Sequence, residues 1–168
     1  MTIIGIISTN QRFEILKNII QKNSNKNEIT LININRKSIE NLKTVKFDII
    51  VLMDFLEKFE EQVDKIEEIC ESIKYLIINS DIEQNHDIFI NIKSNIITCG
   101  LNQKSTVTFS SITDENMLIS IQRGFRNKEG KLIEVGEYSI KINPDIRTKL
   151  NEILVAFIIE NLEKFLQF

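Results

Sequence analysis

Five consecutive residues near the start of the chain, Ile3-Ile4-Gly5-Ile6-Ile7, carry no polar side chain, so a strand built from them must be covered on both faces. Fully covered strands belong to sheets whose connections return as helices, which points to parallel pairing. The next residues agree. Ser8-Thr9-Asn10 are turn formers that also cap helices, and Phe13, Leu16, Ile19 and Ile20 then recur at helical spacing. Residues 2–23 thus read as strand, turn and helix. The alternation continues with a strand over Ile29 to Ile34, a short helix or turn over Ser38 to Leu42, and a strand over Phe47 to Met53. A charged amphipathic helix is predicted over 56–74, with Phe59, Val63, Ile66, Ile69, Cys70 and Ile73 on its apolar stripe, followed by a strand from Tyr75 to Ile78.

Past residue 87 the texture changes. Ile88 to Ile92, Asn95 to Cys99, Ser105 to Ile112, Met117 to Gln122 and Leu132 to Ile142 are short strand candidates without long helices between them, so they are expected to pair as an antiparallel sheet. Arg126 to Lys131 reads as a hairpin connection. Asn143-Pro144 is expected to start a last helix, with Leu150, Ile153, Leu154, Phe157, Ile158 and Phe165 on its buried face. The expected fold is α/β: three layers, a mostly parallel sheet with helices on both faces, plus a smaller antiparallel sheet in the second half. Residues 1–168 are expected to form a single domain.

Charge narrows the functional classes. With 21 Lys+Arg against 24 Asp+Glu the chain carries a formal charge of −3, and no basic stripe of the kind nucleic acids require. No apolar run approaches the length of a membrane span, so neither nucleic acid nor membrane is expected as a partner. Cys70 and Cys99 lie far apart and without metal-ligand spacing, which suits a reducing, cytoplasmic setting. Both are expected to be core residues. His86, the single histidine, stands between Asn85 and Asp87 and reads as a surface residue, because metal and triad sites need partners. Ser105, in Lys104-Ser105-Thr106, has no visible base, and the acidic run from Glu57 to Glu71 reads as a solvated helix face.

The informative segment is Gly5-Ile6-Ile7-Ser8-Thr9-Asn10-Gln11-Arg12-Phe13, placed where a nucleotide-binding α/β protein carries its phosphate loop. It resembles the ATP-binding loop of the Mur ligases, Gly-x-Thr-Gly-Thr-Asn-Gly-Lys-Thr/Ser. Gly5, Thr9 and Asn10 match. Ile7 replaces the first threonine, Ser8 and Gln11 replace glycines, Arg12 replaces the lysine and Phe13 the metal-binding hydroxyl. Later segments keep the family's order: Phe47 to Leu52 resembles the strand before its metal motif, although Met53 to Phe59 lacks the histidines. Tyr75 to Asp81 resembles the strand ending in Asn-x-Asp-Asp, with Ile82 in place of the last Asp. Ile96-Ile97-Thr98-Cys99-Gly100 resembles the strand that follows. The resemblance is to the central domain, and the domains that flank it in the Mur ligases are expected to be absent.

That resemblance implies ATP as the ancestral ligand, with Thr9, Asn10 and Arg12 at the phosphates and Asn79 and Asp81 toward the ribose or base. The family's reaction makes an acyl phosphate and needs lysine and Mg²⁺ to neutralise the moving phosphoryl charge. Arginine does not place a point charge where an ammonium sits, and phenylalanine holds no metal. The chain is therefore expected to have no catalytic or metal-binding residue and no resident cofactor, and to act as a binding or regulatory module. Two other readings stay open. One is a nucleotide-dependent subunit completed by a protein partner; the other is a ligand-free scaffold that forms a homo-dimer. Separately, the apolar end Phe165 to Phe168 is expected either to pack inside or to meet a partner.

Overall fold

The computed structural model describes residues 1–23, 29–54, 63–82, 93–114, 116–141, 145 and 147–163. In chain order they form β1 (Thr2–Ile7), α1 (Asn10–Asn23), β2 (Ile29–Ile34), a single 3₁₀ turn (Ile39–Asn41), β3 (Ile49–Leu52), α2 (Val63–Cys70), β4 (Tyr75–Asn79) and β5 (Asn95–Cys99). There follow β6 (Val107–Ile112), β7 (Asn116–Ile121), β8 (Phe125–Arg126), β9 (Leu132–Ile133), β10 (Gly136–Lys141) and α3 (Leu150–Glu163). An eight-stranded sheet runs β2-β1-β3-β4-β5-β6-β7-β10, and β8 and β9 form a separate two-stranded antiparallel sheet. Every pairing from β2 to β6 is parallel; β7 is antiparallel to both β6 and β10. The fold class is α/β, as the sequence predicts.

The unbroken apolar strands separate two cores, as their period of two requires. Ile4, Ile6, Ile49, Val51, Tyr75 and Ile77 face the layer of α1 and α3. Ile7, Ile50, Leu52, Leu76 and Ile78 face the other layer, where Ile66, Ile69 and Cys70 of α2 and Ile39 pack. Gly5 belongs to this second face, and the room it leaves is filled by its neighbours: a Cβ there would lie 2.6 Å from Cδ1 of both Ile34 and Ile50. Both cysteines are buried in these layers, and burial pushes each thiol up to about 12.

Several expectations change. β5 and β6 join the main sheet in parallel, and β7 and β10 extend it, so the second-half strands add to the large sheet and leave only β8 and β9 apart. β3 starts at Ile49 because Asp48 turns its carboxylate to the Ile3 N–H at 2.9 Å instead of continuing the apolar run. α2 ends at Cys70, four residues before the predicted end, although Ile73 stays buried. The segment predicted as one strand from Leu132 to Ile142 breaks at Glu134 and Val135.

The last helix begins at Leu150, with residues 147–149 outside it, and the expected opening Asn143-Pro144 lies outside the described residues. It also lacks a single buried stripe: every residue from Glu152 to Leu162 is buried, because α1, the sheet and the β8–β9 hairpin enclose it. The predicted strand over Ile88 to Ile92, the first turns of the helix over 56–74, His86, and Phe165 to Phe168 lie outside the described residues. Asp64, Glu67, Glu68 and Glu71 are exposed, the solvated face expected of α2.

Candidate functional site

The strand order places the site. The chain leaves β1 outward to β2, then returns to β3 on the opposite side of β1, and at such a reversal a crevice opens beyond the carboxyl ends of the strands. A cavity of about 470 Å³ lies there, lined by Ser8, Thr9 and Asn10 after β1, Asn35, Arg36 and Lys37 after β2, and Asp54 after β3.

Thr9 caps α1. Its Oγ1 accepts from the Arg12 N–H at 3.4 Å and its carbonyl from the Phe13 N–H at 3.0 Å. Its own N–H, one of the groups a phosphate would use, donates to Asp54 Oδ2 at 2.6 Å. A helix start attracts negative charge, and here the chain supplies its own carboxylate. Asn10 opens α1, and its Oδ1 accepts from Asn33 Nδ2 at 2.8 Å, which ties the helix start to the end of β2. Beyond β2, Asn35 Oδ1 accepts from the N–H groups of Lys37 and Ser38 at 2.9 and 3.1 Å. That side-chain turn presents Arg36 and Lys37, both exposed, on the rim of the cavity.

Arg12 is engaged by acceptors of the chain itself. Its Nε donates to Glu152 Oε1 at 2.8 Å, and its Nη1 donates to the Met53 carbonyl at 2.5 Å and to Asp54 Oδ1 at 3.2 Å. The side chain is 23% exposed, against 13% for Asp54 and 7% for Glu152, so the cluster is largely screened from water. Burial works against the guanidinium charge, but the hydrogen bond and charge of Glu152, then those of Asp54, outweigh it and hold Arg12 above its usual value. Three elements are clamped together: the start of α1, the end of β3 and the first turn of α3. Arg12 is thus an ion-paired, partly buried residue and not a cation free in solvent beside the cap. Phe13 is buried in the core shared by α1 and α3.

The second predicted cluster stands elsewhere. Asn79 ends β4 and is buried; its Oδ1 accepts from the Asp81 N–H at 3.1 Å. The Asp81 carboxylate accepts from the Leu101 and Asn102 N–H groups at 2.9 and 3.2 Å, closing the loop after β5. It lies so close over Gly100 that a Cβ there would be 2.6 Å from Asp81 Oδ1. The structure thus brings Thr9, Asn10 and Arg12 to one place, while Asn79 and Asp81 form a loop clasp that does not line the cavity. Ser105 is buried with its Oγ 2.5 Å from that of Ser80, a structural pair. Among the described residues no three His, Cys, Asp or Glu side chains gather as a metal site would need, and no helix is long and apolar enough to cross a membrane.

Asp54, Glu152, Asn33, Asn35, Arg36 and Lys37 are the site residues that sequence reasoning misses. For Arg36 and Lys37 a signal exists, since two cations follow a strand directly; for Glu152 there is none, because it lies 140 positions from its partner. No family model matches the chain, and no curated protein matches it.

Proposed function

We propose that the chain is a non-catalytic relative of the Mur ligase central domain, acting as a binding or regulatory module. The reading rests on the retained order of eroded motifs, and one observation carries it. The groups that would receive a triphosphate, the Thr9 N–H and the Arg12 guanidinium, are already engaged by Asp54, Glu152 and the Met53 carbonyl. A nucleotide entering the cavity has to expel Asp54 from the helix start and break an ion pair. It would gain no metal from Phe13, since a phenyl ring ligates none. Loss of a single preorganised charge contact in such a site costs about 10²–10³ in rate, and here several are missing together.

The cavity itself persists beside the sealed loop, rimmed by Arg36 and Lys37, and supports a role in binding. Isothermal titration with ATP and Mg²⁺, paired with a phosphate-release assay, tests the reading. The expected result is no metal-dependent heat and no turnover. Metal-dependent ATP binding with phosphate release refutes it.

A further inference from the structure

β10 ends the eight-stranded sheet: β7 pairs with one side of it, and among the described residues no strand pairs with the other. An open edge is a row of unpaired N–H and C=O groups, a template for another strand unless charges or bulges guard it. β10 has no bulge in its pairing with β7, which runs in register from Gly136↔Ile121 to Lys141↔Asn116.

Its two faces differ. Tyr138 and Ile140 turn toward α3: the Tyr138 ring lies 5.5 Å from that of Phe157, and Ile140 is in the core. Tyr138 nevertheless remains 38% exposed. The opposite face carries Glu137, Ser139 and Lys141, all exposed. Across β7, Glu137 stands opposite Ser120 and Lys141 opposite Asn116, so neither meets a charge there. Neither forms an ion pair elsewhere among the described residues. Four residues apart on one strand, they are separated by roughly 13 Å at ~3.3 Å per residue, too far to pair with each other. An edge that only repels other strands is best served by charges of one sign. This edge carries one of each, placed symmetrically about Ser139.

We propose that β10 pairs antiparallel with β10 of a second copy of this chain, about a two-fold axis through Ser139. A two-fold normal to the sheet keeps like faces together, so each residue faces one of its own parity. Centred on Ser139, Glu137 faces Lys141 of the second copy, twice by symmetry, and Tyr138 faces its Ile140, an aromatic against a β-branched side chain. Centred on Tyr138, Glu137 faces Ser139 and Lys141 faces Val135, and both charges stay unmatched. The Ser139 register is thus the one the charges select. It joins the two sheets into one and leaves both sets of helices on their own side.

Sedimentation equilibrium over a concentration series tests this, with thermal melting as the control for folding. The unmodified chain is expected to dimerise. E137K places like charges at both symmetric positions, as does K141E, and each is expected to weaken dimerisation by about tenfold or more while melting stays unchanged. An equimolar mixture of the two single variants restores association, because the introduced lysine faces the introduced glutamate; the double variant E137K/K141E restores it within one chain. A chain that stays monomeric at every concentration overturns the proposal, and so does a dimer that neither single variant weakens. Either failure leaves the reading of the loop intact, since that rests on Arg12 and Asp54.

Discussion

Replacing Arg12 by Met removes the cation and keeps most of the aliphatic stem, so the loss isolates the charge. Glu152, 7% exposed, and Asp54, 13% exposed, are then left as two carboxylates sharing one screened pocket. Breaking one partner out of a buried pair costs about 3–5 kcal/mol, and the 23% exposure of Arg12 lets water recover part of that, which leaves about 2–4 kcal/mol. For a domain of this size each kcal/mol moves the midpoint by ~2–4 °C, so the melting temperature should fall by roughly 4–16 °C. Glu152→Gln keeps an acceptor for Arg12 Nε and should cost about 1–2 kcal/mol. Urea unfolding of both single variants and the double variant closes a thermodynamic cycle. The expected coupling is about 1–2 kcal/mol, because removing Arg12 harms the protein less once Glu152 is neutral. High salt should leave most of that coupling in place, since a screened pair feels counter-ions weakly. A coupling below ~0.5 kcal/mol, the size of ordinary non-additivity, would show that the clamp is incidental and refute the reasoning.

Asp54→Ala should free the Thr9 N–H and one side of Arg12, so inorganic phosphate is expected to raise the melting temperature of this variant and leave the unmodified chain unmoved; equal shifts in both would mean that Asp54 does not occlude the helix start. The thiols of Cys70 and Cys99, pushed up to about 12 from 9.0, stay neutral in the folded chain while those of the unfolded chain ionise. The stability they contribute is therefore fully present below about pH 9 and is lost as pH rises from there toward 12, at up to ~1.4 kcal/mol per pH unit for each thiol. Urea midpoints at alkaline pH, compared with a Cys70→Ala/Cys99→Ala variant, measure it, and parallel curves for the two proteins would contradict the assignment. Gly5→Ala should cost about 1–3 kcal/mol, because the added Cβ meets Ile34 and Ile50 at 2.6 Å; a neutral substitution would show that the two isoleucines move aside freely.

The layered fold was legible because its signal is local. Ile3 to Ile7, Ile49 to Leu52 and Tyr75 to Ile78 are apolar on both faces, and only a sheet covered on both sides accommodates them. The second half was harder to read. Short strands of alternating polarity look alike whether they form a sheet of their own or extend an existing one, and what decided the matter here was the parallel pairing of β5 to β4 in register, Tyr75↔Asn95 through Asn79↔Cys99. Asn143-Pro144 is a good helix opening in isolation, but α3 starts only at Leu150, and propensity is a weak prior against tertiary packing. At the site, the turn and helix cap at Ser8-Thr9-Asn10 are legible in the sequence, but the role of Arg12 is not, because it reaches partners 42 and 140 positions away.

That long reach decides what the turn after β1 can accept. A phosphate loop works by keeping its donors unsatisfied until a ligand arrives, and glycines permit this by letting N–H groups converge on empty space. Here Ser8 and Gln11 flank Thr9 and Asn10 where glycines would be needed, and the Thr9 N–H and the Arg12 guanidinium both converge on Asp54. An external phosphate competes with a carboxylate tethered to the same fold, whose effective concentration is set by the rigid end of β3 and by no cellular pool. Binding would also strand Arg12 between Glu152 and an incoming anion and require the α1–β3–α3 clamp to open. The same ion pairs that close the loop therefore hold the layer of α1 and α3 to the sheet, so an anion strong enough to displace Asp54 must loosen the packing of α3 as it binds. A ligand that lowers, not raises, the protection of α3 amides from hydrogen exchange would be the sign of such displacement, whereas a ligand held by Arg36 and Lys37 on the rim should leave those amides unchanged.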